Sequence, residues 1–208
     1  MRKLLWCPVD VPVVPNKDKL IEELTSSTES GKYCFWKFFK ITEDRPADSG
    51  PYDVCEIKEE FKQHFPELVQ WISLFPYKSI RNIKFNLQEQ EVIPHCDFQK
   101  PDLEPELWKN NNDNDPCGYR VILSGSRKNK LYLWENDEKI YCDLPEDTDT
   151  YVLNHASGKH GVEDDENRFT IFMHLEIDPE KHKLLIERSL EKYGKYAIYQ
   201  QKTLDFLE

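Results

Sequence analysis

Apolar and polar positions change rhythm along the chain. Residues 3–14 alternate loosely and are broken by prolines, a pattern that predicts an edge strand or extended arm because proline removes a ladder donor. Over Lys17–Ser26, Leu20, Ile21 and Leu24 fall on one helical face and Asn16 is placed to cap the start. The aromatic and β-branched run YCFWKFFKIT (33–42) predicts a strand, and the polar EDRPADSGP after it a loop. Residues 56–75 read as two helical pieces, since Pro66 cannot sit inside a helix but can open one.

From residue 77 short strand-like runs take over: 79–87, 91–98, 118–124, 130–135, 139–144, 150–155 and 168–177, separated by turns rich in Asn, Asp, Gly, Ser and Pro. So many runs in so short a span predict an antiparallel sandwich or small barrel. Helical periodicity returns over 179–193, with Leu184, Leu185 and Leu190 as the expected apolar face. The fold class expected is therefore mainly β with flanking helices. With no repeat or flexible linker, 1–208 reads as a single domain: supporting strands and helices (1–76), a β core (77–178) and a C-terminal helical extension (179–208). The long irregular segment 99–117 inside the β region suits a lid or binding loop.

Composition narrows the function classes. A net charge of −11 argues against a broad nucleic-acid or anionic-membrane surface, which needs clustered Lys and Arg, and favours a basic or neutral substrate. No apolar run approaches the ~20 residues of a membrane span, and Pro8, Asp10 and Pro12 interrupt any signal-peptide core. Six cysteines at 7, 34, 55, 96, 117 and 142 form no CxxC pair, which points to free thiols in a reducing cytoplasm. Nothing resembles a Gly-rich phosphate loop.

The chemistry concentrates in three places. In Pro94-His95-Cys96-Asp97, an extended backbone turns His95 and Asp97 to one face, where an imidazole and a carboxylate can take adjacent positions on a metal, with Cys96 pointing away. His160 can deliver a second imidazole from across the sheet, and two histidines with one carboxylate make the facial triad of non-haem iron(II). His155 is the rival third ligand. Its odd offset from His160 would face it the other way in a continuous strand, although Ser157 and Gly158 can break that strand. Arg168 opens the next strand and can lie beside His160, where a guanidinium is suited to gripping the far carboxylate of a dicarboxylate bound to the metal. His64, His174 and His182 read as structural; Trp108, Trp134 and Tyr132 are candidates to line a substrate cleft, Trp134 fitting core packing better.

The run from 80 to 177, IRNIKFNLQEQEVIPHCDF through GYRVILSG and LNHASGKHGVEDDENRFTIFMHLEI, resembles the double-stranded β-helix (jelly-roll, cupin-like) core of iron(II)/2-oxoglutarate-dependent dioxygenases. It is most similar to the aspartyl/asparaginyl β-hydroxylase-like group. The resemblance implies that His95, Asp97 and His160 ligate Fe(II), that Arg168 binds the distal carboxylate of 2-oxoglutarate, and that Arg120 lies near its iron-proximal carboxylate. It also implies O2-dependent hydroxylation of a C–H bond in a protein side chain (Asp, Asn or Pro-like) or a small amino-acid-like substrate, releasing succinate and CO2. Two departures stand out: Ile122 replaces the histidine that group often carries two residues after the arginine, and Asp97 supplies a carboxylate that the mammalian β-hydroxylases lack. The rival expectations are a non-catalytic cupin-like β-sandwich binding a metabolite or protein partner, and a cupin-type metal enzyme without 2-oxoglutarate.

Overall fold

The computed structural model describes residues 3–26, 32–33, 36–40, 56–88, 90–96, 118–154, 158–164 and 168–200. In chain order these form β1 (Leu4–Pro8), α1 (Lys17–Ser26), β2 (Lys32–Tyr33), β3 (Trp36–Lys40), α2 (Glu59–His64), α3 (Pro66–Ile72), β4 (Tyr77–Gln88), β5 (Val92–His95), β6 (Gly118–Ile122), β7 (Leu131–Glu135), β8 (Glu138–Tyr141), β9 (Thr150–Leu153), β10 (His160–Val162), β11 (Arg168–Ile177), α4 (Pro179–Tyr193) and β12 (Ile198–Tyr199). A larger sheet has the order β12-β1-β9-β6-β11-β4-β3-β2 and a smaller one β5-β10-β7-β8. Neighbouring strands are antiparallel throughout. From β4 to β11 the chain passes repeatedly between the sheets: β4, β6, β9 and β11 belong to the larger, β5, β7, β8 and β10 to the smaller.

Strand alternation gives the larger sheet two different faces. Phe85, Ile171 and Val121 stand in register on β4, β11 and β6, and all are fully buried in a core shared with Leu20 of α1, Leu68, Trp71 and Ile72 of α3, and Leu185 and Ile186 of α4. One residue along, Ile122 turns to the opposite face and packs with Leu131, Leu133 and Val162 of the smaller sheet. Helices thus cover one face of the larger sheet and the smaller sheet covers the other. Burying Leu185 and Ile186 of α4 contributes roughly 1.5–3 kcal/mol each. Among the described residues no helix is long and apolar enough to cross a membrane.

Local chemistry sets the joints. Pro66 opens α3, as expected from its missing donor. Asn136 and Asp137 both take positive φ, 51° and 62°, the turn that a two-residue β7–β8 hairpin requires. Asp149, fully buried, accepts from Arg127 and pairs with Lys17 at 3.0 Å, tying the start of α1 to the turn before β9. Among the described residues Cys7 and Cys142 are free thiols. Burial pushes the Cys7 thiol up to about 12 and raises that of Cys142 as well, so both stay protonated and unreactive.

Several features differ from the sequence pattern. Residues 4–8 are not an edge: β1 pairs with β9 on one side and β12 on the other and is buried along its length. Past α4 the chain does not stay helical; after a 3-10 turn at Gly194–Tyr196 it returns as β12 to cover the outer side of β1. Leu184 is 66% exposed, because His182, Leu185, Ile186, Ser189 and Tyr193 form the buried stripe one helical step away. The strand expected over 33–42 is described as two short pieces, β2 and β3.

Asp178 caps α4, its carboxylate accepting from the Lys181 N–H at 3.2 Å, and that bond holds its carboxyl below the usual carboxylate range. Because the folded value lies below the unfolded one, the stabilisation is present at neutral pH and disappears as pH falls through the lowered value. Asp178→Ala is expected to lower the thermal midpoint at neutral pH, with variant and wild type converging in acid; circular dichroism melts across pH check this.

Candidate metal and anion site

β10 is three residues long and lies between β5 and β7, with His160 in register with His95 on one side and Leu133 on the other. Between the His160–His95 and Val162–Val92 pairs, β10 advances two residues and β5 three. The extra residue is a bulge, and it lets Val92 and His95 face the same side despite their odd spacing. That side is the interior, since Val162 and Leu133 pack there against the larger sheet. The two imidazoles meet with ring centroids 4.7 Å apart and planes inclined by 46°.

Each ring is oriented by backbone. His95 Nδ1 lies 2.9 Å from the Ile93 carbonyl oxygen and His160 Nδ1 2.9 Å from that of Gly158. A carbonyl only accepts, so Nδ1 carries the proton in both rings and Nε2 is the lone-pair nitrogen of the neutral form. Two imidazoles held close together through carbonyl contacts at Nδ1 have, when neutral, the chemistry of metal ligands. Among the described residues no third His, Cys, Asp or Glu joins them in a metal-sized group. Asp97, His155 and Trp108 lie outside the described residues.

Between His160 and Val162, Gly161 leaves no space for a side chain. A Cβ there would come within 2.4 Å of the Tyr132 hydroxyl and 2.7 Å of the Val92 carbonyl oxygen. Tyr132 therefore lies on the outer face of the smaller sheet, opposite the histidines, and so does Trp134, which shares its side of β7 and has the Lys159 ammonium 5.8 Å from its ring. Neither lines the space between the sheets, which corrects the expectation of a cleft-lining role. The cause is strand parity: Leu131 and Leu133 take the inward positions of β7.

On the larger sheet, Arg168 starts β11 opposite Gln88, with Thr170 opposite Asn86 and Ile122. These residues occupy the face that looks towards the smaller sheet. Arg168 is 2% exposed; its Nη1 donates to Gln88 Oε1 at 3.2 Å, while Nε and Nη2 have no partner among the described residues. The Thr170 hydroxyl and both polar atoms of the Asn86 amide are also buried and have no partner among the described residues. A buried cation with two unused donors is costly unless an anion completes it, and its flat fork fits a carboxylate. Asn86, Gln88 and Thr170 were not apparent as site residues in the sequence, although the polar alternation in KFNLQ, with Phe85 on the other face, is a signal.

Arg120 is also buried on this face, opposite Phe172, with its guanidinium carbon 4.0 Å from the Phe172 ring centroid and Nη1 donating to the Tyr119 carbonyl at 3.1 Å. It lies four residues of β11 from Arg168, roughly 13 Å along the strand. His182 belongs to the helical side, where its Nδ1 lies 2.7 Å from the Tyr119 hydroxyl; His174 is half-buried and His64 exposed.

Comparison with protein-family models finds no match, and comparison with curated proteins finds none. Among solved structures, the chain is similar to an oxidoreductase of the 2OG-Fe(II) oxygenase family from Burkholderia pseudomallei, with 11% identity and a TM-score of 0.41 over 76% of this chain and 79% of that one.

Adding a methyl at position 161 forces either Tyr132 or the β5 backbone to move. Gly161→Ala is expected to cost about 1–3 kcal/mol by overpacking and to perturb the imidazole resonances of both His95 and His160. Chemical denaturation and histidine-selective NMR measure the two effects; unchanged imidazole signals would refute the link between this glycine and the pair.

Proposed function

We propose that the chain is an Fe(II)- and 2-oxoglutarate-dependent dioxygenase built on a double-stranded β-helix. The observation that carries the reading is the pairing of two inward-facing, backbone-oriented imidazoles on the smaller sheet with a buried guanidinium on the facing side of the larger sheet, two of whose donors have no partner among the described residues. The passage of eight consecutive strands, β4 to β11, between two sheets supports that fold. His95 and His160 fit a divalent metal, and Asp97, two residues after His95, would complete the triad. When bound, iron(II) with 2-oxoglutarate and O2 supplies the chemistry that replaces a C–H hydrogen by hydroxyl, with succinate and CO2 as co-products.

The chain's own residues orient and exclude. The Ile93 and Gly158 carbonyls aim the imidazoles, and Arg168 takes the distal carboxylate of the co-substrate in place of its hydration. Thr170 and Asn86, neutral and buried beside it, offer hydrogen bonds without adding charge. Arg120 adds a second positive charge further along the same face and is assigned to the metal-proximal carboxylate. The substrate is a protein side chain of Asp, Asn or Pro type, or a small amino-acid-like molecule, and the location is cytoplasmic.

Calorimetry under anaerobic conditions with Mn(II) tests these roles. One metal per chain is expected, weakened at least about tenfold by His95→Ala, His160→Ala or Asp97→Ala. Arg168→Ala is expected to spare metal binding and weaken 2-oxoglutarate at least about tenfold. Succinate release with Fe(II) should require all four residues. A wild-type protein that binds metal but not 2-oxoglutarate would overturn the reading in favour of a different metal enzyme, and one that binds neither would favour a non-catalytic sandwich.

A further inference from the structure

Gln88 is fully buried and makes three hydrogen bonds to three separate parts of the chain. Its Oε1 accepts from Arg168 Nη1 at 3.2 Å, and its Nε2 donates to the carbonyls of Gln90 and Glu163, each at 2.9 Å. The orientation is forced: flipping the amide would set NH2 against the guanidinium and oxygen against two carbonyls. Gln90 leads into β5, which ends at His95, and Glu163 directly follows β10, which begins at His160. Glu163 is held in turn, its carboxylate accepting from Lys139 Nζ at 2.7 Å and the Tyr141 hydroxyl at 2.9 Å, and its N–H donating to the Lys130 carbonyl at 2.9 Å.

We propose that Gln88 is a positioning residue that fixes the distance from the Arg168 guanidinium to the His95–His160 pair and so selects the chain length of the 2-oxo diacid. The proposal rests on the function assigned above. One amide links the grip on the distal carboxylate to the backbone that enters β5 and leaves β10, the two strands that carry His95 and His160. A diacid one methylene longer must either move Arg168 off Gln88 or give up one end, and an acid with no distal carboxylate is indifferent to Gln88.

The test measures Mn(II)-dependent binding of 2-oxoglutarate, six-carbon 2-oxoadipate and monocarboxylic 2-oxobutyrate by anaerobic calorimetry, for wild type, Gln88→Leu and Gln88→Glu. Wild type is expected to prefer 2-oxoglutarate over 2-oxoadipate by at least tenfold. Gln88→Leu should reduce that ratio below threefold while Mn(II) and 2-oxobutyrate affinities stay unchanged, a pattern that general loss of structure would not give. Gln88→Glu, which keeps the shape and supplies a carboxylate to Arg168, should abolish the preference for 2-oxoglutarate over 2-oxobutyrate; it carries the test if the Leu variant does not fold. A ligand-free readout is 15N spectroscopy of the Arg168 side chain: resolved, exchange-protected Nη–H signals in wild type, averaged in Gln88→Leu. An unchanged chain-length ratio in a folded variant, or unchanged Arg168 signals, overturns the positioning role. Wild type that binds no 2-oxo diacid while Arg168 still responds to Gln88 overturns the assigned function, and with it the diacid selection, and leaves the amide as a structural tether.

Discussion

The pairing of a three-residue strand, His160–Val162, between β5 and β7 is the constraint on which the candidate site depends. A strand this short has few ladder hydrogen bonds of its own, so its neighbours must define its register. Slipping by one residue would turn His160 outward and Gly161 inward. Tyr132 packed on one face of Gly161 and the Val92 carbonyl beside it leave no room for such a slip. The bulge in β5 completes the arrangement by adding the half-period that aligns His95 with Val92. Close packing on the outer face of the smaller sheet thus determines what its inner face presents.

At the turn before β9 a buried charge is satisfied internally. Asp149, with no exposed side-chain surface, is met by Lys17, Arg127 and the Val14 N–H. Asp10, which is only half-buried, is met by Arg188 and Lys192. Arg168 is the contrast, buried as deeply but with a neutral amide as its side-chain partner among the described residues, where Thr170 and Asn86 beside it have none. In a chain of net charge −11 a carboxylate partner was readily available. A polar patch left short of acceptors between two sheets is where an acidic small molecule gains most from low dielectric and dry surroundings.

Much of the fold was legible because its elements are long enough to show a period. Residues 168–177 alternate at both ends around an apolar Ile171-Phe172-Met173 centre, and 17–26 and 179–193 carry helical stripes, so each appears where the pattern places it. β10 was not legible, since three residues cannot display a period of two, although His160 within it was picked out by its chemistry. β1 read as an edge because its prolines suit one; that β12 returns from the far end of the chain to flank it depends on tertiary packing. His95 and Arg168 could be singled out from spacing and charge. Gln88 could not, because its role comes from two backbone carbonyls brought to it by separate turns, and a glutamine at a strand end has no distinguishing spacing. The inward or outward choice for Tyr132 and Trp134 likewise turned on which parity of β7 met the larger sheet.

Among the described residues the larger sheet ends on both sides in strands of only two residues, β12 and β2. An exposed sheet edge is a template for another chain's strand, and the strength of that template grows with the number of free ladder groups in line. An eight-stranded antiparallel sheet would otherwise be a strong seed for edge-to-edge aggregation. Among the described residues each outermost strand contributes only two residues to such a template. On the side of β1, the two described residues of β12 complete part of its hydrogen bonding and offer another chain only a short run of ladder groups.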